Sequence, residues 1–144
     1  KEGIYIGYRY FDSFGVKPLF PFGFGLSYTD FEIQFCGIEI DQDKIEVNVS
    51  VENTGSRFSG SEVVQIYAVL PHGRLEKEHH RLVGYAKTNV LKPGEKQQER
   101  ILIEGKALAC FFDHDHARIV HSGNYECWIG HSSDFLKLAA LVKV

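Results

Sequence analysis

Apolar and polar residues alternate along most of the chain after Phe31, and turn residues interrupt this alternation about once per strand length. The clearest case is residues 44–52, where every second residue is Ile or Val and the others are polar, so the two sets face opposite sides of a strand. Residues 62–70 are apolar on both faces, which is typical of a central strand in a sandwich. No stretch keeps apolar residues at helical spacing for three turns. The pattern therefore predicts an almost entirely β domain.

Turn residues separate the predicted strands. Residues 53–56 (NTGS) end the strand at 44–52. Residues 92–95 (KPGE) are expected to form a type II turn, because proline presets φ at the second position and glycine accepts the positive φ required at the third. The remaining predicted strands are residues 81–91, 97–104, 117–121, 125–130 and 134–144. Seven or eight strands at this spacing predict an immunoglobulin-like β-sandwich of two sheets.

The first 28 residues do not follow this pattern. Ten of the 19 aromatic residues of the chain lie in its first 31 positions, among many glycines and prolines. Such a segment is too aromatic to leave in water and too irregular to build its own core, so we expect it to lie against something. We call residues 1–28 the leader and residues 29–144 the sandwich. Because the chain contains no methionine, we also expect it to be the end of a longer protein.

Composition limits the possible partners. The 144 residues, 44% hydrophobic and 24% charged, fit one domain with a single core. A net charge of −3 with both signs scattered argues against binding nucleic acid. No apolar run approaches the ~18–20 residues that cross a bilayer, so no membrane partner is expected. Cys36, Cys110 and Cys127 form an odd set without CxxC spacing, which indicates reduced thiols and favours a cytoplasmic location.

Two segments of the leader carry a specific resemblance. They read EGIYIGYRYFD at residues 2–12 and PLFPFGFGLSYT at residues 18–29. Both resemble the junction in family-3 glycoside hydrolases, the β-glucosidases and β-xylosidases, where an α/β-sandwich domain leads into a carboxy-terminal fibronectin type III-like domain. Four further blocks resemble successive turns and strands of that domain in the right order, at residues 51–56, 60–67, 91–95 and 123–133.

The resemblance implies a noncatalytic chain. Retaining glycosidases use two carboxyl groups ~5–5.5 Å apart. In the family the nucleophilic aspartate belongs to an amino-terminal barrel-like domain and the acid/base group to the α/β-sandwich domain, so neither is matched here. We therefore expect no catalytic residue, cofactor-binding residue, cofactor or metal ligand, and no glycoside hydrolysis by this chain alone. The aspartates are expected to accept local backbone N–H groups at turns and strand edges: Asp12, Asp30, Asp41, Asp43, Asp113, Asp115 and Asp134.

The role that remains is to stabilise and dock the catalytic domains of the same polypeptide, which would bind the β-glycoside. An active site shared between domains tolerates little displacement, so a bracing domain has a physical purpose. The leader would form the domain interface through packing of six aromatic residues and a planar ion pair of Arg9. The six are Tyr8, Tyr10, Phe11, Phe20, Phe22 and Phe24. In a separate chain, the leader could instead fold back on the sandwich or pair with a second copy.

Other residue clusters leave alternatives open. His114 and His116, flanked by aspartates, are expected to lie in a polar turn rather than a metal site, because structural zinc usually takes four closely spaced ligands. Residues 72–81 are basic but interrupted by glutamates, and are expected to form a solvated loop; the alternative is a loop that reaches over a neighbouring sugar-binding cleft. Trp128 is expected to pack in the core or an interface. The second hypothesis for the whole chain is a carbohydrate-binding or self-association module.

Overall fold

The computed structural model describes residues 3–41, 44–73, 75–112 and 117–143. In these ranges strands predominate and the two helices are short. The helices are α1 (Tyr8–Ser13) and α2 (Gly105–Leu108). The strands are β1 (Phe31–Asp41), β2 (Lys44–Asn53), β3 (Val63–Val69), β4 (Arg81–Lys87), β5 (Lys96–Glu104), β6 (Cys110–Phe112), β7 (Ala117–Ile119), β8 (Asn124–Ser132) and β9 (Phe135–Lys143).

Seven of these strands form two antiparallel sheets, which confirms the predicted all-β sandwich. One sheet has the order β1-β2-β5 and the other β4-β3-β8-β9, while β6 and β7 pair as a separate ribbon. The side chains of Val47, Val49 and Val51 on β2 are fully buried, as the alternation of residues 44–52 predicts. They join Val64 and Ile66 of β3 in the core between the sheets.

The predicted strand at 81–91 is too long. Strand β4 ends at Lys87, and at the next pair the N–H of Glu62, just before β3, donates to the side-chain Oγ1 of Thr88 in place of a backbone carbonyl. Leu91 then pairs with Gly60 in an isolated bridge. After Lys87 the chain leaves the sheet and runs toward β5. The apolar residues that follow Lys87 therefore lie beyond the end of β4, although their pattern resembled a continued strand.

The KPGE turn is formed as predicted. Gly94 has φ of 76°, and the N–H of Glu95 donates to the carbonyl of Lys92 at 2.9 Å. The positive φ at the third position is required of a type II turn, and the hydrogen bond from the fourth residue to the first is common in one. The turn also pairs with the end of β2, since the N–H of Gly94 donates to the carbonyl of Asn53.

Strand β3 is buried on both of its faces. Ile66 points into the core, whereas the neighbouring Tyr67 lies on the outer face of its sheet and is nevertheless fully buried. A single layer of sheet cannot bury a residue on its solvent side. The leader supplies the missing cover. Among the described residues, no helix is long and apolar enough to cross a membrane.

Candidate domain-docking surface

The leader lies over the outer face of the four-stranded sheet, and Tyr8 is its central contact. The Tyr8 ring stands edge-on to Tyr67, with ring centroids 5.6 Å apart, and also contacts Phe22 at 5.4 Å. Its hydroxyl oxygen accepts the backbone N–H of Leu82 on β4 at 2.8 Å. Tyr8 therefore buries apolar area and satisfies a strand N–H with one side chain.

Helix α1 is tied to the residues that precede β4. The N–H of His79 donates to Ser13 Oγ at 3.0 Å, and the N–H of His80 donates to Asp12 Oδ2 at 3.0 Å. Arg9 Nε lies 3.6 Å from Glu78 Oε1. The helix has only six residues and no side-chain cap at its amino end, so these tertiary contacts stabilise it rather than its own sequence.

The contacts correct two expectations from the sequence. Asp12 does not accept local N–H groups, because its backbone partner, His80, is 68 residues away. Residues 72–81 are not uniformly solvated, because Glu78 and His80 are buried. Residue 74 and the histidines at positions 114 and 116 lie outside the described residues.

Glu78 accepts ion pairs from two arginine side chains, those of Arg9 and Arg81. Arg81 donates to both of its carboxylate oxygens, from Nε at 2.7 Å and from Nη2 at 3.0 Å, so the planar pairing expected of Arg9 is made by Arg81. Arg81 Nη1 also donates to the carbonyl of Ala109 at 2.8 Å. Burial disfavours the ionised carboxylate, but the hydrogen bonds from Arg81, a backbone hydrogen bond and the charges of Arg81 and Arg9 together outweigh it and lower the pKa of Glu78 below its ordinary value.

The other predicted interface aromatics keep much of their surface exposed. Phe20 and Phe24 pack on each other with ring centroids 5.2 Å apart, and Tyr10 packs on Phe11 at 5.6 Å. Their exposed fractions remain large: 45% for Tyr10, 37% for Phe11, 66% for Phe20, 49% for Phe22 and 45% for Phe24. Leu19 beside them is 89% exposed. We call these six residues the aromatic surface. Contiguous exposed apolar area of this kind is typical of an interaction site.

Two open cavities adjoin the leader. An open cavity of about 430 Å³ lies beside Tyr8, Phe11 and Phe22. A second, of about 520 Å³, lies between the leader and the sheet and is lined by His80 and Trp128 among others. Both cavities are open at the surface, so each leaves room for further side chains.

Trp128 packs, as expected, rather than standing free. It is half-buried, its ring stands edge-on to His80 at 5.3 Å, and its Nε1–H donates to Glu126 Oε2 at 2.8 Å. The sequence did not reveal the role of Glu78, His79 and His80 in holding the leader. Two adjacent histidines next to an acidic residue were the only sequence feature that could have indicated a contact site. No neighbouring residue indicated that α1 would be their partner.

These observations define the class of structure: it is a β-sandwich with an aromatic leader packed on its outer face. Residues 62–133 match the fibronectin type III-like domain. The fold superposes on β-glucosidase 3B from Thermotoga neapolitana with a TM-score of 0.93, at 40% identity over 100% of this chain and 20% of that one. For the β-glucosidase from Kluyveromyces marxianus the TM-score is 0.94, at 38% identity over 99% of this chain and 17% of that one.

A curated relative agrees with these matches. The thermostable β-glucosidase B from Acetivibrio thermocellus is 36% identical over 148 aligned positions, which include 100% of this chain and 19% of the relative. The chain belongs to the fibronectin type III-like family, and it corresponds to the domain of this type in family-3 β-glucosidases. It spans a fifth or less of the length of these relatives.

Proposed function

We propose that this chain is the noncatalytic fibronectin type III-like domain of a family-3 glycoside hydrolase of the β-glucosidase or β-xylosidase type, and that it stabilises and docks the catalytic domains. The leader, residues 1–28, joins the sandwich, residues 29–144, to those domains. The catalytic domains of the same polypeptide carry the reaction on a β-glycoside, and this chain alone does not hydrolyse one.

One observation carries the proposal: the two sides of the leader differ. The inner side is fixed to the sandwich by Tyr8, Asp12 and Ser13. The outer side presents the aromatic surface, whose members are 37–89% exposed. A leader that served only to cover the sheet would not need large apolar rings on its far side. The relatives indicate what would cover the aromatic surface, namely other domains of the same polypeptide. More than three quarters of the relatives' length lies outside the region that this chain matches.

The test compares Phe20→Ser with Leu102→Ser. Both side chains are large, apolar and exposed, but Phe20 is in the aromatic surface whereas Leu102 is on β5 in the opposite sheet. Fully burying such a side chain is worth ~1.5–3 kcal/mol, and Phe20 is still 66% exposed, so docking should gain about 1–2 kcal/mol from it.

The variants are measured in two settings, the 144-residue chain and the full-length protein. In the chain alone both should change the free energy of unfolding by less than ~0.5 kcal/mol, as exposed substitutions usually do. In the full-length protein only Phe20→Ser should lower stability and glycosidase activity after heating. Equal effects of the two variants there would refute docking through the aromatic surface.

The alternative is self-association through the same aromatic surface, which exposed apolar area also favours. Sedimentation of the 144-residue chain tests it. A monomer at high micromolar concentration excludes it, whereas a dimer that Phe20→Ser dissociates and Leu102→Ser does not would favour it over docking to other domains.

A further inference from the structure

Three potential metal ligands meet where α1 contacts the residues before β4. Asp12, His79 and His80 each offer one ligand atom, and these atoms all lie within 4.8 Å of one another. Asp12 Oδ1 is 3.4 Å from His79 Nδ1 and 3.2 Å from His80 Nδ1. Asp12 Oδ2 accepts the backbone N–H of His80 at 3.0 Å and also lies 3.0 Å from His80 Nδ1. Oδ1 therefore lies near both imidazoles, and Oδ2 lies near the main chain and the His80 ring.

The two separations from Oδ1 match the spacing of ligand atoms around a shared metal ion, whereas Oδ2 lies at hydrogen-bond distance from His80 Nδ1. Ligand atoms at the corners of a tetrahedron with bonds of ~2.0–2.1 Å stand roughly 3.3–3.4 Å apart. Hydrogen bonds from a ring N–H to oxygen centre on ~2.9–3.0 Å. The distances from Asp12 Oδ1 to the two Nδ1 atoms, 3.4 Å and 3.2 Å, are close to the tetrahedral edge.

The surroundings hold the ligands in place. The His80 ring is buried, edge-on to both Trp128 and Tyr67, with centroids 5.3 Å and 6.5 Å away. Asp12 is fixed through its Oδ2, in the way that hydrogen bonds outside the coordination sphere orient ligating carboxylates. The side chain of His79 remains 58% exposed, so an ion could enter from solvent.

The cavity of about 520 Å³ is lined by Asp12 and His80, and it leaves room for water at a fourth coordination position. Among the described residues the buried His80 Nε2 has no hydrogen-bond partner, so Nδ1 is the ring nitrogen that faces the ligand cluster. Two imidazoles and one carboxylate suit Zn²⁺ and its borderline neighbours, whereas Mg²⁺ and Ca²⁺ prefer all-oxygen sites.

We propose that Asp12, His79 and His80 bind a divalent transition metal, with Zn²⁺ the best match, and that the ion links the leader to the sandwich. The site joins α1 to a segment more than 60 residues away, so an ion there opposes detachment of the leader. This proposal does not depend on the proposed docking function, because it concerns only contacts inside the chain.

The test is Zn²⁺ binding by calorimetry and the visible absorption of bound Co²⁺, both with the 144-residue chain. His79→Ala removes an exposed ligand and should leave the fold intact. His72→Ala is the matched control, since His72 is also exposed and is not in the cluster. We expect His79→Ala to weaken Zn²⁺ binding by more than the roughly 10–100-fold that loss of an outer-sphere partner costs, and to abolish the tetrahedral Co²⁺ spectrum.

His72→Ala should bind as the unmodified chain does, and Zn²⁺ should raise the melting temperature of both but not that of His79→Ala. Equal affinities of the His72 and His79 variants would mean adventitious binding only and would overturn the proposal. Loss of binding in His114→Ala together with His116→Ala, with His79→Ala unaffected, would move the site elsewhere and overturn it as well. No binding by the unmodified chain below millimolar Zn²⁺ would have the same consequence.

Discussion

Asn53 is the residue whose replacement should most damage the sandwich without removing apolar volume. Its side chain is fully buried at the end of β2. Oδ1 accepts from Thr29 Oγ1 at 2.6 Å and from the N–H of Gly55 at 3.1 Å. Nδ2 donates to the carbonyls of Phe58 and Leu91, each at 2.9 Å. One amide group thus connects the first sandwich residues, the loop after β2 and the bridge at Leu91.

Asn53→Ala removes all four bonds and leaves their partners inside the protein. A typical hydrogen bond contributes ~0.5–1.5 kcal/mol, and a buried partner left unsatisfied costs ~1–3 kcal/mol. Two of the four contacts are only partly buried, and the carbonyl of Leu91 keeps the N–H of Gly60. We therefore expect the free energy of unfolding to fall by about 3 kcal/mol rather than by the full sum.

Urea denaturation followed by tryptophan fluorescence measures this loss as a lower midpoint at an unchanged m-value. Asn48→Ala is the matched control, because Asn48 lies on the same strand with its side chain on the outer face, half-buried. Its effect should stay within ~0.5 kcal/mol. Asn53→Asp keeps the shape and the acceptor but removes both N–H donors, so it should also destabilise the chain. Asn53→Ala within ~1 kcal/mol of Asn48→Ala would refute the reasoning.

Two further predictions follow from burial. Only one thiol of the native chain should react quickly with a thiol reagent, because Cys36 is exposed and the other two cysteines are buried. Burial also raises the pKa of Cys127 to about 11. Rapid reaction of three thiols per chain before denaturation would contradict this prediction. Gly130→Ala should cost several kcal/mol or prevent folding, because a Cβ there would overlap the backbone carbonyl of Phe135. Gly25→Ala, which meets no neighbouring atom, should be tolerated, and equal stability of the two variants in urea would disprove the steric argument.

The leader marks the division between what could and could not be predicted. Its composition was enough to predict that it lies against a surface, because such an apolar segment cannot remain in water. Which side faces inward was not predictable. Tyr8 is fixed on the sheet while Phe20 stays exposed, although both are aromatic residues of the same leader. That difference depends on where Tyr67 and Leu82 stand in the folded sheet.

The sequence by itself determined the all-β class, the buried face of β2 and the KPGE turn, because each depends on the alternation of neighbouring residues or on the φ that one residue allows. Only the tertiary structure decided the end of β4, the hydrogen bonds of Asn53 and the meeting of Asp12 with His79 and His80. These depend on residues far apart in sequence, and no local pattern specifies which of many polar partners the packed sheets will bring within hydrogen-bond distance.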